Sequence, residues 1–192
     1  MDLDLPAMLL EKAGGGEAIL VLSADGARGL TYAAVDSMAK APAGTTSNHF
    51  RNPAVLLDGV VEHLVELDRR DWEAFAGRLR PTTTAELAAA MTGFTRHAVG
   101  PGRARSTARY NLFLEAISRP ELARPLARGR ATIVEWGSSW LAELGSATPE
   151  EHCRRLADYL DGVILHQLAF PSVDFDPAPG IQDFLAAVLG RW

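Results

Sequence analysis

Apolar side chains return every three or four positions along most of the chain, the mark of a helix with one buried face. Leu56, Leu57, Val60, Val61, Leu64 and Leu67 make the clearest stripe. Nowhere do β-branched or aromatic residues alternate with polar ones over the length of a strand, so the pattern predicts helices and no sheet. Pro6 opens a first helix near Ala7 to Ala13, which Gly14, Gly15 and Gly16 interrupt. A second begins near Glu17 and stops at Asp25-Gly26. Thr31 caps a short helix from Tyr32 to Lys40, Pro42 forces a turn, and another short helix spans Ala43 to Phe50. Asn52-Pro53 reads as the cap and first residue of a longer helix reaching about Leu67. Beyond Arg80-Pro81, one of Thr82, Thr83 and Thr84 caps a helix through Val99, and Gly100-Pro101-Gly102 breaks it. Helices follow at Ala104 to Ile117, Pro120 to Leu144 with a bend at Pro125, Pro149 to about Phe170, and Ile181 to Leu189. The expected fold is all-α, with about nine helices. Its natural division lies near residue 64: short helices in 1–64, longer ones in 65–192.

Composition narrows the class. The 192 residues, 47% hydrophobic and 22% charged, suffice for a core and exclude wholesale disorder. The longest apolar runs, Ala18 to Leu22 and Phe184 to Leu189, are far too short to span a bilayer. Asp2 and Asp4 do not suit a secretory signal peptide. A lone Cys153 excludes an intrachain disulfide framework and a multi-cysteine zinc site. Arginine far outnumbers lysine, and alanine is abundant, as a GC-rich coding sequence would give; the expectation is a bacterial cytoplasmic protein. The formal charge of −5 argues, taken alone, against a nucleic-acid partner.

The segment Gly29 to Leu57 changes that inference. Two short helices joined by a tight turn at Lys40 to Pro42 are the layout of a helix-turn-helix, whose second helix enters the DNA major groove. Ala43 and Gly44 permit close approach. Thr45, Thr46, Ser47 and Asn48 carry the hydroxyl and amide groups that bond phosphates, touch thymine methyls or read adenine. On spacing alone, a capped surface helix is an equal alternative.

Gly44-Thr45-Thr46-Ser47-Asn48-His49-Phe50, preceded by Gly26, Thr31 and Val35 and followed by Arg51-Asn52-Pro53 with Leu56 and Leu57, resembles the DNA-binding domain of the tetracycline-repressor (TetR) family of bacterial transcription regulators. The resemblance covers about Glu17 to Leu64, with a weaker family-like phrase at Tyr159-Leu160-Asp161-Gly162-Val163. It implies that Thr31, Tyr32, Thr45 and His49 contact phosphates. Ala43, Gly44, Thr46, Ser47 and Asn48 would then face or border the groove, and Val35, Ala39, Ala41 and Phe50 would hold the two helices together. The chain departs from the family at four places. Lys40 stands where a left-handed glycine is common, Ser47 where a tyrosine is, Pro53 where a lysine is, and Gly14 to Gly16 where the first helix is apolar.

For the rest of the chain the resemblance implies a regulatory domain that dimerises through its last two long helices and binds a small molecule. Leu156, Leu160, Val163, Ile164 and Gln167, with Ile181, Phe184, Leu185 and Val188, form stripes suited to a contact across a twofold axis. They would equally close the chain's own core. Met91, Phe94, Tyr110, Phe113, Trp136 and Trp140 are candidates to line a pocket, or plain core. His97, His152 and His166 lack metal-ligand spacing, Ser138-Ser139 lack the glycines of a nucleophile elbow, and no catalytic set emerges. Neither a metal nor a cofactor is expected. Cys153 beside Arg154 and Arg155 reads as a thiol of lowered pKa or an inert one. Eight arginines between Arg96 and Arg130 attract an anion or simply form a solvated face.

The reading is thus a homodimeric, ligand-responsive repressor on a palindromic DNA operator, with no membrane partner. The alternative is a family-like receptor or interaction module whose operator binding is weak or lost. Residues 1–50 carry Lys12, Arg28 and Lys40 against Asp2, Asp4, Glu11, Glu17, Asp25 and Asp36. Few phosphates would then be neutralised, and the salt dependence of binding should be shallow.

Overall fold

In the computed structural model residues 15–78 and 80–189 are described, the side chains of 75–78 excepted; the helix expected near Ala7 to Ala13, and Gly14, lie outside them. Every regular element among the described residues is a helix: α1 (Gly15–Gly29), α2 (Tyr32–Met38), α3 (Thr45–His49), α4 (Pro53–Arg78), α5 (Thr84–Val99), α6 (Arg103–Ser118), α7 (Pro120–Glu143), α8 (Pro149–Ala169) and α9 (Ala178–Leu189). The chain is all-α, as the periodicity predicts.

Local chemistry sets most of the starts. The Thr31 hydroxyl, on extended backbone, accepts the Ala34 N–H at 3.2 Å and opens α2. Asn52 does the same for α4 through the Val55 N–H at 2.9 Å, with Pro53 in the first helical position. At α5 the cap is Thr83, which accepts the Glu86 N–H at 3.1 Å, while the Glu86 carboxylate reaches back to the Thr82 N–H at 2.8 Å and its hydroxyl at 3.0 Å. That reciprocal arrangement lowers the Glu86 pKa, the Thr82 backbone bond first.

The largest departures from the expected bounds are in α1, α4 and α9. Gly15 and Gly16 are helical, and α1 continues past Asp25 to Gly29 with a kink at Gly26 (φ 66°), a backbone angle that only glycine adopts freely. α4 continues well past Leu67 to Arg78, although its stripe has given way to Asp68, Arg69, Arg70 and Asp71. α9 starts at Ala178, ahead of the expected Ile181, while α7 keeps its expected span and runs through the buried Pro125.

The packing of the described residues falls into two units. The first contains residues 15–68 and 104–129; the second contains 69–78, 80–103 and 130–189. In the first core, Leu22, Leu30, Val35, Phe50, Leu56, Leu57, Val60 and Leu64 are joined by Ala108, Leu112 and Leu122 from α6 and α7. In the second, Leu87, Met91, Val134, Trp140, Leu141, Leu156, Leu160, Ile181 and Leu185 pack together. The division expected near residue 64 and this packing division group residues 104–129 differently. Among the described residues, no helix is long and apolar enough to cross a membrane.

Candidate nucleic-acid interface

The connection between α2 and α3 is a tightly bonded turn. After Met38 the Lys40 N–H donates to the Ser37 carbonyl at 3.1 Å, and the Ala41 N–H to the Asp36 carbonyl at 2.9 Å. These are the two bonds of a Schellman ending, which needs a left-handed residue between them. That residue is Lys40, at φ 51°, the one described non-glycine with positive φ. The resemblance marks this position as glycine in the family; here the same backbone is held by a lysine.

α3 has only five residues, too few to persist alone, since helix nucleation is unfavourable and is repaid only over many residues. Its cap, Gly44, sits at φ 93° and contributes no side chain. The missing acceptor comes from α2. Asp36, 5% exposed, takes the Gly44 N–H on Oδ2 at 2.8 Å, and on Oδ1 it takes both the Thr46 N–H at 2.8 Å and the Thr46 hydroxyl at 2.5 Å. These bonds, the Thr46 hydroxyl's foremost, hold the Asp36 carboxyl below its ordinary range. At the other end of α3, Phe50 is buried and its carbonyl receives the Tyr32 hydroxyl at 2.8 Å. Val35 is buried beneath and Ala39 and Ala41 half-buried, as expected of the residues that hold the two helices.

Of the expected groove and phosphate residues, Thr31, Ala43, Ser47, Asn48 and His49 are exposed, and Gly44 and Thr45 half-buried. Thr46, expected at the groove, is 1% exposed and turned onto Asp36; side chains facing outward in α3 are those on either side of it. Tyr32, expected on a phosphate, spends its one hydroxyl proton on the Phe50 carbonyl. The Thr45 and Ser47 hydroxyls donate to nearby backbone, to the Pro42 carbonyl at 2.6 Å and the Gly44 carbonyl at 3.0 Å. Thr31 accepts in its cap and keeps its proton. Asp36, which braces α3, is not singled out by the sequence. Its only signal was an acid eight and ten residues before a glycine and a threonine.

The pocket candidates do not gather in one unit. Met91, Phe94, Trp136 and Trp140 belong to the second, where Met91 and Trp140 are buried and Phe94 lies 5.0 Å from Trp72 between ring centres. Tyr110 and Phe113 belong to the first, meeting edge to face at 5.7 Å. Of the dimer candidates, Leu156, Leu160, Ile164, Ile181 and Leu185 are buried within the chain, so for them the self-core alternative is realised. Phe184 stacks on Tyr159 at 5.0 Å, Gln167 donates its amide N–H to the Ser172 carbonyl and accepts the Ser172 N–H, both at 3.1 Å, and Val163 and Val188 are half-buried. Exposed apolar groups near the end of α8 are instead Leu165, Phe170 and Val173.

Most of the arginine block is paired with acids, the majority of them far away in sequence. Arg109 grips Asp68 with two bonds, at 2.6 and 3.0 Å, and Arg105 approaches the same carboxylate. Arg128 pairs with Glu62, Arg96 with Asp176, Arg119 with Glu115, and Arg130 with Asp158 and Asp161. Cys153 is buried against Gly137, and desolvation pushes its thiol up to about 11 against the weaker pull of Arg130 and Arg154. The inert alternative holds. Among the described residues no three His, Cys, Asp or Glu side chains gather as metal ligands.

The family described as tetracyclin repressor-like, C-terminal domain, matches residues 82–191. A transcriptional regulator from Rhodococcus sp. Rha1 shares the fold with a TM-score of 0.73 at 19% identity, over 96% of this chain and 94% of that one. GusR of Salmonella enterica superposes with a TM-score of 0.70 at 16% identity, over 99% and 98%. The multidrug binding protein EbrR, complexed with proflavin, gives a TM-score of 0.58 at 24% identity, over 97% and 98%. No curated protein matches by sequence.

Proposed function

The chain belongs to the tetracyclin repressor-like family of transcriptional regulators, and from that premise we propose that it is a ligand-responsive repressor acting in the bacterial cytoplasm. Two copies bind one palindromic operator through residues 1–64, and residues 65–192 dimerise and receive a small molecule that releases the DNA. The observation that carries the reading is the braced pair α2 and α3, with Ser47, Asn48 and His49 exposed on the second helix. Dimerisation is assigned to α8 and α9, the exposed Leu165, Phe170 and Val173 adding to the half-buried Val163, Phe184 and Val188. The effector is assigned to the second unit near Met91, Phe94, Trp136 and Trp140, an apolar and aromatic set that suits an apolar or aromatic molecule. It would release DNA only through unequal affinity for the bound and free states.

A second reading, a family-like receptor with little operator affinity, is favoured by the hydroxyls of Tyr32, Thr45 and Ser47, whose protons already go to backbone carbonyls. Selection of duplexes from a random library, followed by titration over salt, separates the two. The repressor reading expects a selected duplex to outcompete random DNA, with log affinity falling gently against log salt, by about 0.9 for each phosphate neutralised. If no duplex competes better than random, the receptor reading stands in its place.

A further inference from the structure

We propose that Asp36 is the positioning residue of the reading head: its buried carboxylate fixes the start and the roll of α3, and so sets sequence discrimination without touching DNA. The inference rests on the repressor reading above and deepens it.

The argument begins with the backbone of α3. A helix start leaves its first N–H groups without partners, and a side chain at the cap normally supplies one acceptor. Here the cap is a glycine, with no side-chain bond. Two of those N–H groups, Gly44 and Thr46, reach the two oxygens of one carboxylate on the preceding helix. Two fixed bonds define an orientation where one would define only a distance. The third bond, from the Thr46 hydroxyl, locks the one α3 side chain that points inward. Successive helical residues are about 100° apart around the axis. Holding Thr46 inward therefore fixes where Thr45, Ser47, Asn48 and His49 project.

The far end is held separately by Phe50 and the Tyr32 hydroxyl. Weakening Asp36 thus leaves α3 anchored at Phe50 but free to roll at the end whose first residues meet base edges in a helix-turn-helix. Asp36 is also tied through its own carbonyl to the Ala41 N–H, so the turn and the clamp share one residue. Base contacts depend steeply on placement. A small roll should spoil discrimination while contacts to the uniform phosphate backbone survive.

The test compares Asp36→Asn and Thr46→Val with the unaltered protein, full length, on the selected duplex and on random DNA. Asp36→Asn keeps the shape but cannot accept from both N–H groups. Thr46→Val keeps the volume and removes only the hydroxyl, so it serves if the first variant does not fold. The readout is the ratio of the two affinities, measured well below each melting temperature. Simple loss of folded protein lowers both affinities together and leaves the ratio unchanged. The expected result is a fall in the ratio comparable to one mismatched base pair, about tenfold for Asp36→Asn and less for Thr46→Val. A ratio unchanged in both variants overturns the proposal and leaves the repressor reading intact. A wild-type chain with no preference overturns both.

Discussion

Replacing Lys40 by glycine should make the protein more stable, which is unusual for a change that removes a whole side chain. The residue occupies the left-handed position of the turn, at φ 51°, and its neighbours' hydrogen bonds require that angle. A side chain in this region costs about 1–2 kcal/mol, from the approach of Cβ to the following carbonyl. Glycine avoids that cost but gives up about 0.5–1 kcal/mol in extra backbone freedom of the unfolded chain. The difference leaves a net gain of about 0.5–1 kcal/mol, or a rise of about 1–4 °C in Tm for a chain of this length. Urea unfolding followed by helical circular dichroism reads it. No tryptophan occurs in residues 1–68 or 104–129, so tryptophan fluorescence follows the second unit by itself and serves as an internal reference. Lys40→Ala is the control, since alanine keeps the Cβ and should gain nothing. If Lys40→Gly were no more stable than Lys40→Ala, the strain argument would be wrong. Should Lys40 meet a phosphate, both variants would also flatten the salt dependence of DNA binding, by about 0.9 in the slope.

Three other outcomes are expected. Tyr32→Phe removes the bond to the Phe50 carbonyl and should cost about 0.5–1.5 kcal/mol in urea unfolding; a large loss of operator affinity at unchanged stability would show instead that the hydroxyl belongs to the DNA. Asp58 has its pKa raised by desolvation first and by Glu121 second, so its charged form opposes folding at neutral pH. Asp58→Asn should therefore stabilise the first unit at pH 7, with the advantage shrinking as pH falls through the raised value; an advantage that persists in acid would contradict this sign. The Cys153 thiol, pushed up to about 11, should resist a thiol reagent at pH 8 and react once urea unfolds the second unit. Rapid labelling of the folded chain would show that its burial is not maintained in solution.

What could be read from the sequence was whatever depends on near neighbours. The caps at Thr31, Asn52 and the threonines before α5 were legible because an N-cap is a matter of three residues. The tight turn at Lys40 to Pro42 was legible in the spacing, whereas its left-handed residue was implied only by the family resemblance. Long-range chemistry was not legible. α4 looked finished at Leu67 because its apolar stripe ends there, yet Asp68 is held by Arg109, 41 residues away. The arginine block read as a positive surface because its acids lie elsewhere in the chain. Apolar spacing said that Leu156, Leu160, Ile164 and Leu185 are buried, but not against what, and the answer is their own chain. Thr46 and Asp36 are the sharpest case. A threonine among hydroxyl residues looks like one more DNA contact, and an acid in a short helix looks solvated, until the fold brings the two together.

The first packing unit also has an order in time. Its core is not complete without Ala108, Leu112 and Leu122, which belong to residues 104–129. During synthesis, residues 1–68 must therefore wait while 61 more residues (129 minus 68) are added. At ribosomal speeds of about 5–20 residues per second, that is roughly 3–12 s. Through that interval Leu56, Leu57 and Leu64 have only part of their final cover. A segment made early is thus among the last to be finished, and a truncated messenger ending before residue 104 would yield a reading head with no back to its core.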